Sequence, residues 1–363
     1  MLVDDSAVIR GLLTRSLEND PQICVMCSAA NGNMALRALE RNDVEVVVLD
    51  IEMPEMDGLT ALPLMLKRDP ALKVIMASTL TRKNAEVSMR ALDLGAADYL
   101  AKPTSTTELN SATEFKRQLT EKVKALGAVR RRQVGGATPR REVRPVAAPP
   151  PRKPPGNTPF TLRAAPPVIP MPDVIAIGSS TGGPQALMKV LGDIKGGLGQ
   201  PILITQHMPA TFTTILAEHI SRASGIKCAE GVDGEPVVGG RIYLAPGDYH
   251  MVVEGSSPKR VIRLNQAAPE NFCRPAVDPM MRSIVKSYGA RILAVILTGM
   301  GADGRAGCDE VVKAGGIVVA QDEASSVVWG MPGAVATAGL CTAVLPGGEI
   351  GPYVRRIARR TAA

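Results

Sequence analysis

Aromatic residues are scarce: one Trp, five Tyr and four Phe in 363 residues. Long apolar runs are missing as well. The longest, at 46–49 and 292–297, fall far short of the ~18–20 residues that a membrane-spanning helix needs. Direct membrane insertion is therefore excluded. Asp4 and Asp5 come at once, which argues against a secretory signal. Six Cys are present without a framework of closely spaced pairs. Cys24 and Cys27 form an isolated C-x-x-C, but residues 23–27 read as a strand, where i and i+3 point to opposite faces. No second C-x-x-C completes a zinc site, so the cysteines read as structural thiols of a reducing cytoplasm. With only three His, any imidazole chemistry has few candidates.

What is present in excess is positive charge, +7 overall, and it is not evenly spread. Residues 1–127 carry −3, residues 128–172 carry +8, and residues 173–363 carry +2. The middle stretch holds twelve Pro and nine Lys or Arg against one acid. That composition cannot build a core and reads as a semi-extended tether with polyproline character. A basic whole-protein charge invites a nucleic-acid partner, but here the charge sits outside both candidate domains. The expected layout is thus a domain at 1–127, a linker at 128–172 and a second domain at 173–363.

In the first block, short apolar runs alternate with helically spaced stretches such as 7–17 and 33–39. Strand–helix alternation of this kind implies βαβ units around a parallel sheet, with functional residues at the carboxyl ends of strands. Asp4 and Asp5 end the first apolar run, Asp50 ends 46–49, Ser78 and Thr79 end 74–77, and Lys102 follows 99–101. Three carboxylates at one sheet edge repel each other unless a cation intervenes, and all-oxygen ligation suits Mg²⁺. A Lys and a hydroxyl beside them would receive phosphoryl oxygens.

These residues, with the run 49–58 and Lys102-Pro103, resemble a response-regulator receiver domain of flavodoxin-like (βα)5 fold. The resemblance implies that Asp50 is the phospho-acceptor. It implies Mg²⁺ held by Asp5, by Asp4 through water, by Asp50 and by the Glu52 carbonyl, with Ser78 and Lys102 touching the phosphoryl group. Tyr99 would be the aromatic switch residue. Only three residues precede Asp4, fewer than receiver domains supply for a central first strand, so the natural protein is expected to begin upstream.

In the second block, residues 173–178 read as a strand and 185–191 as a helix. Between them Gly178-Ser179-Ser180-Thr181-Gly182 matches G-x-S-x-G on a strand-to-helix turn. Ser180 at a helix N-terminus would face backbone N–H groups suited to an oxyanion. The turn has no G-x-G-x-x-G and no Walker lysine. His207 follows the apolar run 201–206, and Asp303 lies in a glycine-rich loop after the strand 292–297. His219 reads as a mid-helix residue with a solvent or interhelix role. His250 reads as a turn residue and a secondary, substrate-binding candidate. Ser180, His207 and Asp303 thus each follow a strand at its carboxyl end, as a Ser-His-Asp triad requires. The chain order Ser…His…Asp differs from the α/β-hydrolase order, so a convergent triad on another doubly wound parallel sheet is expected.

The motifs at 176–183, 205–209, 243–250, 297–304 and 321–326 together resemble the catalytic domain of the CheB family of chemotaxis methylesterases. Ser179 and Ala302 depart from that pattern, and Ser179 places a second hydroxyl beside Ser180. The resemblance implies hydrolysis of glutamate γ-methyl esters on methyl-accepting chemotaxis receptors and deamidation of receptor glutamines, with a chemotaxis histidine kinase as phosphodonor. It also implies that the Met300 backbone N–H serves the oxyanion hole and that hydrolysis needs no cofactor. The alternative is a receiver driving a binding or transcription-regulating module, for which the basic linker is the main support. Against it, residues 173–363 show no helix-turn-helix pattern, and no nucleic-acid partner is expected.

Overall fold

A computed structural model describes residues 1–79, 81–102, 109–135, 160–164, 171–194 and 196–359. The first unit alternates β1 (Leu2–Val3), α1 (Ala7–Glu18), β2 (Ser28–Ala29), α2 (Gly32–Leu39), β3 (Val46–Asp50), α3 (Gly58–Arg68), β4 (Lys73–Thr79), α4 (Arg82–Asp93), β5 (Asp98–Lys102) and α5 (Leu109–Val134). All strand pairs are parallel, in the order β2-β1-β3-β4-β5. This is the flavodoxin-like arrangement that the alternation predicts. Polar residues start the helices: Ser6, Asn31, Asp57 and Thr81 each accept a hydrogen bond from a first-turn N–H.

The strand periodicity sorts the core. Val47 and Leu49 pack with Ala35, Leu62 and Met65 on one face of the sheet. Val46 and Val48 pack with Leu13, Leu17, Leu119 and Leu126 on the other. Continuous apolar strands are what a sheet covered on both faces requires.

Two expectations need correction. Residues 23–27 are not a strand; β2 holds only Ser28 and Ala29. The cause is β1, which is itself two residues long and can pair with no more than two of its neighbour. Nor does the first unit stop at residue 127, because α5 runs on to Val134. Its last turns carry Arg130, which pairs with Asp43 and Asp69 at 2.9 and 3.0 Å, and Arg131, which pairs with Glu45. Three arginines counted with the tether therefore belong to a helix: Arg130 and Arg131 pair within the receiver-like unit, and Arg132 pairs with Glu323 of the second unit at 2.6 Å. Residues 160–164 are also not free tether: Arg163 N–H donates to the Cys341 carbonyl at 2.8 Å, and Phe160 meets the Trp329 ring. Most of the expected linker lies outside the described residues.

The second unit comprises β6 (Val174–Ser179), α6 (Gly183–Gly192), β7 (Ile202–Gln206), α7 (Ala210–Ser224), β8 (Cys228–Glu230), β9 (Ile242–Leu244), β10 (His250–Ser256), β11 (Lys259–Asn265), α8 (Val277–Tyr288), β12 (Ile292–Ile296), α9 (Arg305–Lys313), β13 (Ile317–Gln321), α10 (Met331–Thr337), β14 (Ala343–Leu345) and α11 (Gly347–Ala358). Seven strands form a parallel sheet in the order β14-β13-β12-β6-β7-β9-β8, and β10 and β11 form a hairpin. The chain leaves β6 to build one half of the sheet and returns to β12 on its other side. The crevice beyond the carboxyl ends of β6, β7 and β12 is thus the topological switch point, where open α/β sheets bind ligands.

The two units share an apolar boundary. Met89, Leu92, Ala96 and Tyr99 of the first pack with Leu187, Met208, Phe212 and Ile215 of the second. The Tyr99 and Phe212 rings stack, with centroids 4.4 Å apart and planes 11° from parallel. No helix among the described residues is long and apolar enough to cross a membrane.

Candidate active site

Ser180 sits just past β6, on the turn that leads into α6. Gly182 has φ +74°, which a side chain would strain, and a Cβ there would lie 2.5 Å from Val327. Pro184 then occupies the first turn of α6, where its missing N–H costs no helical bond. The Ser180 N–H donates to the Thr298 carbonyl at 3.0 Å, which ties this turn to the loop after β12. Gly299 of that loop approaches so closely that a Cβ there would lie 2.9 Å from the Ser180 Cβ. The second hydroxyl, that of Ser179, is not available for chemistry: it is buried and donates to Gln206 Oε1 at 2.7 Å. Gln206 in turn donates to the Ser180 and His207 carbonyls.

His207 follows β7, and its Nε2 lies 2.7 Å from Asp303 Oδ2. Asp303 is 1% exposed. It accepts hydrogen bonds from the Val277, Asp278 and Gly304 N–H groups and from Asn271 Nδ2, at 2.6 to 3.1 Å. Burial disfavours its charge, but the hydrogen bond and charge of His207 and these donors hold the carboxyl below its ordinary range. Burial pulls the His207 imidazole down; the Cys273 sulfur and the Asp303 carboxylate outweigh it and push the pKa up to about 10.

No hydrogen bond among the described residues uses the Ser180 hydroxyl or the Met300 N–H. The second nitrogen of His207, Nδ1, instead faces Cys273 Sγ at 3.3 Å. Ser180, His207 and Asp303 line one cleft together with Met300, Asn271, Phe272 and Cys273. The void that this cleft opens into is also lined by α5 residues including Arg117 and Glu121.

The other two histidines do no such work. His250 opens β10 rather than sitting in a turn and is 2% exposed. Its Nε2 lies 3.1 Å from the Ala268 carbonyl and its Nδ1 accepts from the Ala276 N–H at 3.2 Å. With both nitrogens committed to backbone, it holds loops together and has none left for a substrate. His219 lies in α7, which packs against α4. Residues that the sequence reading missed are Asn271, Cys273 and Asp278. Burial, with the Asp303 charge adding to it, raises the Asp278 carboxyl to about 6. Only the run Arg274-Pro275-Ala276-Val277-Asp278, a turn before an apolar helix, signalled this corner.

In the first unit the carboxylate oxygens of Asp4, Asp5 and Asp50 lie within 4.8 Å of one another. Lys102 Nζ bridges Asp4 and Asp50 at 2.7 and 2.8 Å. Burial raises the Asp50 pKa, and Lys102 opposes that shift. An all-oxygen cluster of this kind fits Mg²⁺. Ser78 is buried and its hydroxyl pairs with that of Ser88 at 3.1 Å rather than with Asp50. The Glu52 side chain is exposed and reaches Lys83.

Comparison with known proteins matches each of the two units to a family. The family described as CheB methylesterase matches residues 175–354, and the response regulator receiver domain matches residues 1–114. The protein-glutamate methylesterase/protein-glutamine glutaminase of group 2 operon of Rhodospirillum centenum is 61% identical, over 100% of this chain and 94% of its own length. The chain belongs to the CheB methylesterase family. The Azospirillum brasilense protein-glutamate methylesterase/protein-glutamine glutaminase is 62% identical, over 100% of this chain and 93% of its own. Among solved structures, the Thermotoga maritima CheB methylesterase catalytic domain covers 51% of this chain and 98% of its own, at 37% identity and a TM-score of 0.50. The receiver match precedes the methylesterase match along the chain.

Proposed function

We propose that this chain is a phosphorylation-regulated hydrolase of the cytoplasm. It removes methyl groups from glutamate γ-methyl esters of methyl-accepting chemotaxis receptors and deamidates receptor glutamines. The observation that carries this reading is the meeting of Ser180, His207 and a saturated Asp303 in one cleft at the switch point. Its support from relatives is the printed activity of proteins matching the whole chain.

Ser180 Oγ attacks the side-chain carbonyl carbon, and His207 takes its proton. Asp303 holds the imidazole by Nε2, which leaves Nδ1 as the proton-accepting nitrogen. The Met300 N–H donates to the oxyanion. His207 then protonates the leaving methanol or ammonia, and water hydrolyses the acyl-serine by the same route. One triad serves ester and amide because both reactions are acyl transfers at the same carbon.

Residues 1–134 act as the receiver and residues 173–359 as the esterase. Asp50 accepts the phosphoryl group from a histidine kinase. Asp4, Asp5, Asp50 and the Glu52 carbonyl would hold Mg²⁺, whose charge would offset that of the transferring group. Lys102 and Ser78 contact its oxygens, and for this Ser78 must leave Ser88. That movement, passed to the neighbouring strand residue Tyr99, loosens the Tyr99–Phe212 stack and uncovers the cleft.

The test is methanol release from methylated receptor membranes, with and without a phosphodonor. Release that rises with the donor and vanishes in Ser180→Ala supports the reading. Equal release by Ser180→Ala would overturn it, and sequence-specific DNA binding by the intact chain would favour the rival module.

A further inference from the structure

The loop 271–274 ties the receiver to the catalytic histidine. Asn271 and Phe272 have φ of 51° and 62°, a left-handed pair that non-glycine residues adopt only when their surroundings enforce it. The enforcing contacts are specific. Asn271 Nδ2 donates to both Asp278 and Asp303 at 3.0 Å. Arg274 donates to Asp248 at 2.6 and 3.0 Å. Phe272 is largely exposed, and the Arg117 guanidinium of α5 lies 4.5 Å above its ring. Between these anchors, Cys273 directs its sulfur to His207 Nδ1 at 3.3 Å. Asp303 already holds Nε2, so Nδ1 is the one nitrogen left for Ser180, and the thiol occupies it.

We propose that Cys273 is a positioning residue: in the docked form its thiol parks the Nδ1 face of His207 away from Ser180, and Arg117 on Phe272 keeps it parked. This rests on the esterase reading for its consequence but not for its geometry. Removal of the receiver frees Phe272, the loop relaxes, and Nδ1 turns to Ser180. The regulation thereby acts on the base as well as on access to the cleft.

The experiment is ¹⁵N NMR titration of the imidazoles in the full-length protein without phosphodonor, with His207→Gln to assign the signal. The groups acting on His207 are Asp303 after β12 and Cys273 in the loop; Arg274 and Arg117 line the same cleft, Asp278 on α8 is linked to Asp303 through Asn271, and all but the substituted one are retained in each variant. Cys273→Ala is expected to shift the His207 titration to lower pH, Cys273→Ser to stay near wild type, and Arg117→Ala to move in the direction of Cys273→Ala. In parallel, methanol release without phosphodonor should show the acid limb of kcat displaced downward in Cys273→Ala, at unchanged KM, while release with phosphodonor follows the wild-type profile. Wild-type titration and pH profile in Cys273→Ala would overturn the proposal, and wild-type titration in Arg117→Ala would remove the receiver from it. If the titration moves as expected but the wild-type protein releases no methanol, the esterase reading fails and the Cys273–His207 pairing stands.

Discussion

The Thr181 hydroxyl donates to Asp98 Oδ2 at 2.7 Å, across the boundary between the two units. Thr181 follows Ser180 in the chain, and Asp98 precedes Tyr99. Both side chains are buried, and Lys122 of α5 also reaches Asp98, at 2.5 Å. A charge-assisted hydrogen bond in such surroundings is stronger than a neutral one. The Ser180 turn is therefore fastened directly to β5, the strand that carries Tyr99. Repacking around Tyr99 has one bond to cross before it reaches the catalytic turn.

Tyr99→Leu keeps apolar bulk at this boundary but removes the stack on Phe212. An aromatic pair contributes about 1 kcal/mol beyond its buried area, so docking should weaken by roughly fivefold. Methanol release without phosphodonor should rise by a similar factor, while release with phosphodonor stays near wild type. An unchanged ratio of the two rates would count against the stack as a docking contact.

Asp50→Asn separates phosphorylation from folding. The Asp50 carboxyl is raised by burial, so its charged form is held at a cost despite Lys102. Replacing it with a neutral isostere should leave the thermal midpoint unchanged or higher, since Lys102 keeps Asp4. Methanol release should then ignore the phosphodonor. A fall in midpoint of several degrees would mean that the Lys102–Asp50 pair outweighs the burial of the charge.

The strand-end residues were legible because each closes an apolar run, and a parallel sheet gathers such ends along one edge. Ser180, His207, Asp303, Asp50 and Lys102 all came from that signal. What was not legible depended on partners distant in sequence. Arg130 and Arg131 look like tether charges until Asp43, Asp69 and Glu45 are placed beside them. His250 looks available until two backbone groups claim its nitrogens. Cys273 follows no strand and belongs to no periodic pattern. Its role rests on a backbone turn held in place by Asp248, Asp278 and Asp303.

Asp303→Asn should separate orientation from nucleophilicity. An amide can no longer favour the charged imidazole, and its NH₂ group sets a donor against N–H groups from which the carboxylate accepted. Loss of the orienting carboxylate in a triad lowers kcat by roughly 10⁴-fold. Leaving one of the Val277, Asp278 or Gly304 N–H groups without an acceptor costs a further ~1–3 kcal/mol of stability. Turnover and denaturant midpoint measured on the same preparation check both. A loss of less than tenfold in kcat at full stability would remove Asp303 from the triad.

The same imidazole sets a dependence of stability on pH. His207 has an ordinary pKa of 6.5 and is raised to about 10 in the folded protein, because Cys273 and Asp303 outweigh burial. A group bound more tightly to its proton when folded stabilises fully below its unfolded pKa. That contribution falls as pH rises from about 6.5 and is gone once pH passes about 10. The denaturant midpoint should therefore decline across this window, and His207→Gln should flatten the decline. On the proposed release of Nδ1 from Cys273, phosphodonor treatment should also reduce the slope. A wild-type midpoint that is flat from pH 7 to pH 10 would mean that His207 is neutral in the docked form.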